Sequence, residues 1–267
     1  MNASLRFVGR TLRLLVHLGT GLLLASLLRL DRSGRLRMEP LMEFWLRRLL
    51  RILGIELCVQ GEPLRGGHVQ VANHVSWLDI PVLGAGRATH FIAKSEIRDW
   101  PVAGFLATAI GTFYLRRGKG GAKPLLARLT PFLQGGGRIT LFPEGTTTDG
   151  RDVLGFHPRL LAAAVEAQVP VQPVVLRYGR GDGGADLAPF IGEDDLVSHI
   201  LRLLRNRHLQ VRLDYLPALQ PAAFADRDAL ALAAEQAVRA VLRPGSALPA
   251  AARHRVDRAS TVEALPA

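Results

Sequence analysis

An imidazole and a carboxylate lie five residues apart at His74 and Asp79, directly after the short apolar run 69–72. Because five residues of helix turn through about 500°, the two side chains share no helix face. We therefore expect His74 to precede a helix that contains Asp79 and is capped by Ser76. In this strand–turn–helix the carboxylate can hold one ring nitrogen of His74 and leave the other as a general base. The alternative is a histidine and an aspartate that merely begin a helix.

A second group of this kind lies downstream, in the sequence F-P-E-G-T at 142–146. Glu144 follows Pro143 at the end of a predicted strand, and Gly145 can adopt a backbone angle that other residues resist. A solvated glutamate in a turn is the ordinary alternative. The two groups together indicate a site assembled from the loops that follow separate strands.

Four sequence blocks resemble those of the glycerolipid acyltransferase family, whose best-known members are 1-acylglycerol-3-phosphate acyltransferases. The first is N-H-x-S-x-x-D at 73–79, and the second is similar to G-x-x-x-x-x-R at 111–117. The third is F-P-E-G-T at 142–146, and the fourth is the apolar V-P-V-x-P-V at 169–174. The blocks occur in the expected order and span residues 70–176.

The resemblance implies an O-acyltransferase that moves a fatty acyl group from a thioester to the free hydroxyl of 1-acylglycerol-3-phosphate, making phosphatidic acid in phospholipid synthesis. His74 would deprotonate the acceptor hydroxyl, and Asp79 would orient His74 and stabilise its charge. Arg117 and Glu144 would position the acceptor head group. Gly145 and Thr146 would form the floor of the site. The acyl donor would be acyl-CoA or acyl-acyl carrier protein. The family needs no metal or other cofactor and forms no covalent acyl-enzyme.

One departure from the family concerns the head group. Members often carry an Arg or Ser soon after F-P-E-G-T and a Lys near the position of His157, whereas this chain continues with Thr147, Thr148 and Asp149. A phosphate favours Arg and Lys contacts. A lyso-ornithine lipid or another lysophospholipid is therefore the alternative acceptor.

Composition restricts the class of partner. The chain has 267 residues and a net charge of +11, which suits anionic lipid head groups or nucleic acid. Aromatic residues make up only 6% of the chain, nucleic-acid-binding motifs are missing, and the arginines cluster beside leucine runs. We therefore keep nucleic-acid binding only as the alternative from another class and expect membrane lipids as partners. Cys58 is the only cysteine, which agrees with a reducing compartment.

The N-terminal part of the chain is predicted to associate with a membrane. The run 14–28 has His17 as its one titratable residue and is flanked by arginines on both sides. Fifteen residues of helix span about 22 Å, less than the ~30 Å hydrocarbon core. A tilted, re-entrant or interfacial helix therefore fits better than a full crossing or a cleaved signal peptide. The pattern of segment 41–53 fits two structures equally well. One is an amphipathic helix that lies in the plane of the membrane interface, anchored by Trp45, and the other is a surface helix packed on the domain. We expect the inner (cytoplasmic) membrane, with the active site on its cytoplasmic side.

Short apolar runs alternate with helical stretches from 60 to 220, which predicts the α/β class with a central mixed sheet flanked by helices. We divide the chain into an N-terminal membrane-associated helical segment (1–53), an α/β acyltransferase domain (54–243) and a tail without stable structure (244–267). The predicted strands are 55–59, 69–72, 91–93, 112–115, 138–142, 172–176 and 210–216. The predicted helices of the domain are 125–133, 158–167, 196–206 and 222–242.

Overall fold

A computed structural model of the chain describes residues 2–30, 38–115, 122–243 and 254–255. The predicted tail 244–267 lies outside the described residues, apart from 254–255, and so do Arg116 and Arg117 of the second sequence block. The helices are α1 (Ala3–Leu30), α2 (Met38–Leu53), α3 (Asp79–Gly86), α4 (Ala103–Ala109), α5 (Ala122–Gln134), α6 (Ala162–Ala167), α7 (Leu196–Arg205) and α8 (Arg227–Leu242). The strands are β1 (Ile55–Gln60), β2 (His68–Ala72), β3 (His90–Lys94), β4 (Phe113–Leu115), β5 (Arg138–Leu141), β6 (Val171–Tyr178), β7 (Leu209–Tyr215) and the two-residue β8 (His254–Arg255).

The strands form one mixed sheet in the order β4-β3-β5-β2-β6-β7-β1-β8. Neighbours from β4 to β6 are parallel, β6 and β7 are antiparallel, and β7 and β1 are again parallel. Consequently β2 and β6 end at the same edge of the sheet at which β7 and β1 begin. The predicted α/β class with a mixed sheet is confirmed.

Alternate residues of the central strands enter two separate cores, one on each face of the sheet. In β6, Val174 and Leu176 join a core that α2, α3 and α7 cover, whereas Val171 and Val175 join a core that α5, α6 and α8 cover. Both faces of the sheet are therefore buried, as expected for parallel strands with continuous apolar runs.

Each of the seven predicted strands is present, and the differences from the prediction lie in the helices. Helix α4 was missed, since seven residues without charges show no readable period. Helix α8 begins at Arg227 rather than at residue 222, because the side chain of Asp226 caps it by accepting from the Ala229 amide, while Pro221–Ala223 form a separate 3₁₀ turn. The predicted helix 158–167 is a 3₁₀ turn followed by α6.

Helix α1 lies along the domain and has two apolar faces. One face contacts the domain near both ends: Arg6 donates to the Arg205 carbonyl (3.1 Å), and the Arg29 guanidinium lies 4.4 Å from the centre of the Phe105 ring. The opposite face exposes Leu5, Val8, Leu12, Leu15, Val16, Leu23, Leu27 and Leu30. By length and composition α1 could cross a membrane. Its attachment to the domain along the helix instead favours the interfacial position predicted from the sequence.

Helix α2 packs into the domain core, which corresponds to the second of the two predicted readings of this segment. Its buried residues are Met42, Leu46, Leu49, Leu50, Ile52 and Leu53. Leu46 and Met42 occupy the space where a side chain at Gly84 of α3 would lie. Glu43 and Arg47 attach the same helix to the end of α3 by bonding the Ala88 amide and the Ala85 carbonyl.

Removing α2 is therefore expected to unfold the protein, whereas removing α1 alone is not. Each large core side chain contributes about 2–5 kcal/mol, and a domain is stable by only about 5–15 kcal/mol, so the loss of six such side chains exceeds the total. We expect a chain beginning at residue 38 to show a cooperative melt by circular dichroism, and one beginning at residue 54 to show none. A cooperative melt of the shorter chain would contradict the assignment of α2 to the core.

Candidate active site

His74 lies in the loop that joins the end of β2 to α3, at the carboxyl edge of the parallel strands. The preceding Asn73 is fully buried and fixes this loop to β6: its side-chain amide donates to the Leu176 carbonyl (3.0 Å), and its oxygen accepts from the Leu176 amide (2.8 Å). The ring of His74 stacks on Phe142, with the centroids 4.0 Å apart. The loop is thus fixed to β6 through Asn73, and one face of the His74 ring packs on Phe142.

The structure brings His74 and Asp79 together, with 2.7 Å between Nδ1 and Oδ2. The carboxylate is fully buried, and the same Oδ2 accepts from the backbone amides of Val75 (2.7 Å) and Ser76 (3.0 Å). Bonding to an ionised carboxylate places the ring proton on Nδ1 and leaves Nε2 as an acceptor. The chain turn therefore presents one basic nitrogen of defined tautomer.

The predicted capping role of Ser76 is wrong. Helix α3 begins at Asp79 itself, and the residue before it, Leu78, makes no side-chain cap. The hydroxyl of Ser76 has no hydrogen-bond partner among the described residues. It is the Asp79 carboxylate that binds the free backbone amides of this turn, because it folds back over residues 75 and 76.

Tyr178, at the end of β6, is a third member of the site that no sequence block contains. Its hydroxyl donates to Oδ1 of Asp79 at 2.6 Å. Burial, and then the charge of Asp79, raise the pKa of Tyr178 well above its ordinary value, so the hydroxyl stays protonated as a donor. Together with His74 and the two amides, it gives the carboxylate four hydrogen-bond donors.

Replacing Tyr178 by Phe is expected to lower kcat about tenfold, because a carboxylate short of one donor is less firmly held under the imidazole. A hydrogen bond to a charged group contributes about 1.5–3 kcal/mol to stability. We expect its loss to appear partly as a lower kcat and partly as a lower melting temperature. The measurement is a double-mutant cycle with Asp79→Asn. The two rate losses should be clearly less than additive; full additivity would show that Tyr178 acts on something other than Asp79.

Glu144 is buried and connects the F-P-E-G-T turn to the catalytic loop. Its Oε1 accepts from the His74 amide (2.7 Å) and its Oε2 from the Leu154 amide (2.9 Å). Burial raises the pKa of Glu144, and the two backbone donors oppose that shift. Both carboxylate oxygens face backbone amides, which gives Glu144 a positioning role; its contact with the acceptor head group stays a prediction.

The residues around Glu144 complete the loop cluster. Gly145 has a φ of +73°, and with Thr146 it is exposed beside the ring of His157. Thr148 donates from its amide to the His74 carbonyl (2.8 Å), and Thr147 donates from its hydroxyl to the Phe190 carbonyl (2.6 Å). Thr147 and Thr148, which lie where family members often carry an Arg or Ser, thus connect the loops to one another.

A buried histidine outside the four sequence blocks also supports the loop. His199 of α7 is fully buried, its Nδ1 accepts from the Trp77 indole N–H (2.7 Å), and its Nε2 donates to the Leu187 carbonyl (2.7 Å). Burial lowers the pKa of His199, which agrees with this neutral form. Trp77 lies between His74 and Asp79, so α7 contacts the catalytic loop directly.

Arg117, the fourth predicted substrate-binding residue, lies outside the described residues. The second block is described only up to Leu115, at the end of β4. The placement of Arg117 relative to His74 therefore stays a prediction.

Comparisons with known proteins agree with this geometry. A family model described as Acyltransferase matches residues 56–177. A lyso-ornithine lipid O-acyltransferase of Pseudomonas aeruginosa is 45% identical over 257 residues, which cover 94% of this chain and 98% of that protein. The chain belongs to the acyltransferase family. A 1-acyl-sn-glycerol-3-phosphate acyltransferase of Neisseria meningitidis is 32% identical, over 71% of this chain and 75% of its own length.

The fold of this acyltransferase is also that of a solved structure. The 1-acyl-sn-glycerophosphate acyltransferase PlsC of Thermotoga maritima superposes with a TM-score of 0.64 over 88% of this chain and 94% of its own, at 23% identity. At that identity the likeness concerns the fold alone. Together with its relatives, the chain is an acyltransferase of the lysolipid type.

Proposed function

We propose that this acyltransferase acylates the free hydroxyl of lyso-ornithine lipid, taking the acyl group from a thioester and using His74 as the general base. The observation that carries the mechanism is the buried Asp79 carboxylate bonded to Nδ1 of His74, which leaves Nε2 to accept a proton. The acceptor is supported by the 45% identity to a lyso-ornithine lipid O-acyltransferase over nearly the whole of both chains.

In the proposed reaction Nε2 of His74 takes the proton of the acceptor hydroxyl as its oxygen attacks the thioester carbonyl. The carbon–oxygen bond forms, the carbon–sulfur bond breaks, and the imidazolium returns its proton to the departing thiolate. Asp79 stabilises the imidazolium, and Tyr178 with the two loop amides keeps the carboxylate oriented toward it. A positioned base of this kind supplies about 10²–10⁴-fold in rate.

The chemistry after the F-P-E-G-T block favours this acceptor over 1-acylglycerol-3-phosphate. A phosphate head group suits Arg or Lys contacts, and here Thr147 and Thr148 occupy that stretch with their hydroxyls turned to the backbone of Phe190 and His74. Ornithine instead offers one carboxylate and one amine. The acceptor preferred from the motifs, 1-acylglycerol-3-phosphate, becomes the alternative, supported by the Neisseria relative.

Competition between the two acceptors tests the proposal. Purified full-length protein is given one acyl thioester and equal amounts of lyso-ornithine lipid and 1-acylglycerol-3-phosphate in neutral vesicles, and both products are quantified by mass. We expect kcat/KM to favour lyso-ornithine lipid at least about tenfold, the ratio that 1.4 kcal/mol of discrimination gives. A preference for the glycerophosphate would assign the enzyme to phosphatidic acid synthesis instead.

Running the same assay with acyl-CoA and with acyl-acyl carrier protein identifies the donor. We propose that either donor reaches the enzyme from the cytoplasmic side of the inner membrane, where thioesters are made. The enzyme would lie on that surface with the exposed apolar face of α1 in the interfacial region.

Leu12→Glu is expected to release much of the protein from neutral vesicles. Leu12 is 62% exposed on the outward face of α1, and withdrawing a leucine from an apolar phase costs about 1.5–3 kcal/mol, or a 10- to 100-fold loss of partitioning. Leu232→Glu on α8, where the leucine is 52% exposed, is the matched control and should leave binding unchanged. Vesicle sedimentation measures both. On vesicles that contain anionic lipid, release of the wild type by ~1 M salt would show purely electrostatic binding and contradict the apolar anchor.

A further inference from the structure

A cavity of about 300 Å³ lies where α2 ends and where β1 and β7 begin, beside the N-terminal half of α1. Arginines dominate its lining, and Glu56 is the one carboxylate among the described residues that line it. The arginines are Arg10, Arg47, Arg51 and Arg207. None of them belongs to the His74 site or to any of the four sequence blocks.

Arg10 is built into this cavity rather than lying loosely on the surface. Its guanidinium donates to the carbonyls of Asn206 and Arg207, after the end of α7. Gly54 makes room for it: a side chain there would overlap the guanidinium, and Gly54 has a φ of +77°. Burial, followed by the charge of Arg6, lowers the pKa of Arg10, and the charge of Asp182 opposes that shift.

Two further cations of the cavity have no counterion. The side chains of Arg51 and Arg207 are exposed, and neither makes a hydrogen bond or ion pair with a described residue. Arg47 donates to the Ala85 carbonyl and to Glu43, and Glu56 lies 2.7 Å from His208. The cavity therefore holds more positive charge than its own residues balance.

The cavity opens at the same edge of the sheet as the hydrogen-bonded pair of His74 and Asp79, here called the dyad. Ile55 at the start of β1 pairs with Leu209 at the start of β7, and Val211 pairs with Tyr178, whose hydroxyl bonds Asp79. In the strand order the cavity is three strands from β2, or about 14 Å. A group bound there would lie beside α1, at the level of the reacting hydroxyl.

We propose that this cavity binds the phosphate of a glycerophospholipid head group, as a second lipid site distinct from the acceptor site. Guanidinium groups match phosphate oxygens with paired hydrogen bonds, and several cations converge on one cavity. The helix that supplies Arg10 to the cavity, α1, also carries the exposed apolar face that would contact the acyl-chain region of the bilayer. Such a contact would set the depth and rotation of the enzyme on an anionic bilayer with the dyad facing the lipid.

The test compares Arg51→Gln/Arg207→Gln with the control Arg65→Gln/Arg227→Gln, which removes the same charge from exposed positions outside the cavity. Binding of the full chain is measured on vesicles of phosphatidylcholine alone, with phosphatidylglycerol, or with a fatty acid at equal charge. We expect the cavity variant to lose at least about tenfold in affinity for phosphatidylglycerol vesicles relative to the control, as for the loss of charge-assisted hydrogen bonds. It should bind the neutral vesicles as the wild type does.

Three outcomes would overturn the proposal. Equal losses in both variants would mean non-specific charge attraction. An equal loss on fatty-acid vesicles would mean that the cavity selects charge and not phosphate. Micromolar binding of free glycerol 3-phosphate in the absence of vesicles, dependent on Arg51 and Arg207, would assign the cavity to a soluble phosphate ester. Circular dichroism melts confirm that both variants are folded, so a loss of binding cannot come from unfolding.

Discussion

Replacing His74 by Ala is expected to lower kcat for acyl transfer by about 10²–10⁴-fold and to leave the protein folded. We expect the rate to fall because the proposed general base, Nε2 of His74, is then missing from the loop. The fold survives because Asp79 keeps three of its donors, the amides of Val75 and Ser76 and the hydroxyl of Tyr178. Steady-state kinetics on vesicle-bound acceptor, together with a thermal melt, measure both effects.

His157→Ala is the matched control for this experiment. His157 is exposed beside Gly145 of the loop cluster, and it has no carboxylate at hydrogen-bond distance among the described residues. We expect its removal to cost much less in rate than the removal of His74. Retention of a tenth or more of wild-type turnover by the His74 variant would end the general-base assignment.

The second large effect is expected for Asp79→Asn, which removes the charge and almost nothing else. The amide oxygen can take the place of Oδ2 and accept from His74, Val75 and Ser76, while the amide nitrogen faces the Tyr178 hydroxyl, which can accept. The tautomer of His74 is then kept, and only the stabilisation of the imidazolium is lost. We expect kcat to fall by about 10²–10⁴-fold, with a small change in melting temperature.

Asp214→Asn provides the comparison, because Asp214 is equally buried and pairs with Arg177 on the neighbouring strand β6 and with Arg212 on its own strand β7. That change should lower the melting temperature, since two arginines lose their counterion, and leave kcat within about threefold of wild type. If Asp79→Asn also lowered the melting temperature and left kcat nearly unchanged, the Asp79 carboxylate would have a structural role only. The proposed catalytic role of the dyad would then be wrong.

The local geometry of the dyad could be predicted from the sequence because its residues are close along the chain. An apolar strand, a histidine and a carboxylate five residues later allow few backbone paths, and the one expected from the spacing is observed, with α3 beginning at Asp79. The strands were predictable for the same reason, since each is a short apolar run with its own turn signals.

The support of the dyad could not be predicted, because it comes from residues far away in sequence. Tyr178 is 99 positions from Asp79, and Glu144 is 70 positions from His74. The first contact depends on β6 lying beside β2 and the second on β5 lying beside β2, and no local pattern encodes these neighbour relations. The two readings of α2 were equally open for the same reason: its leucines suit a membrane as well as they suit the α3 surface on which they pack.

The most direct test follows a labelled acyl chain from donor to product. Wild-type protein and the His74→Ala variant, at equal amounts of folded enzyme, receive a ¹³C-labelled acyl thioester and lyso-ornithine lipid in neutral vesicles, and lipids and intact protein are weighed by mass spectrometry. We predict one labelled ester on the lysolipid hydroxyl with the wild type, about a hundredth of that amount or less with the variant in the same time, and unlabelled protein in both. Label released only as free fatty acid, or bound covalently to the protein, would contradict direct transfer to the lysolipid hydroxyl.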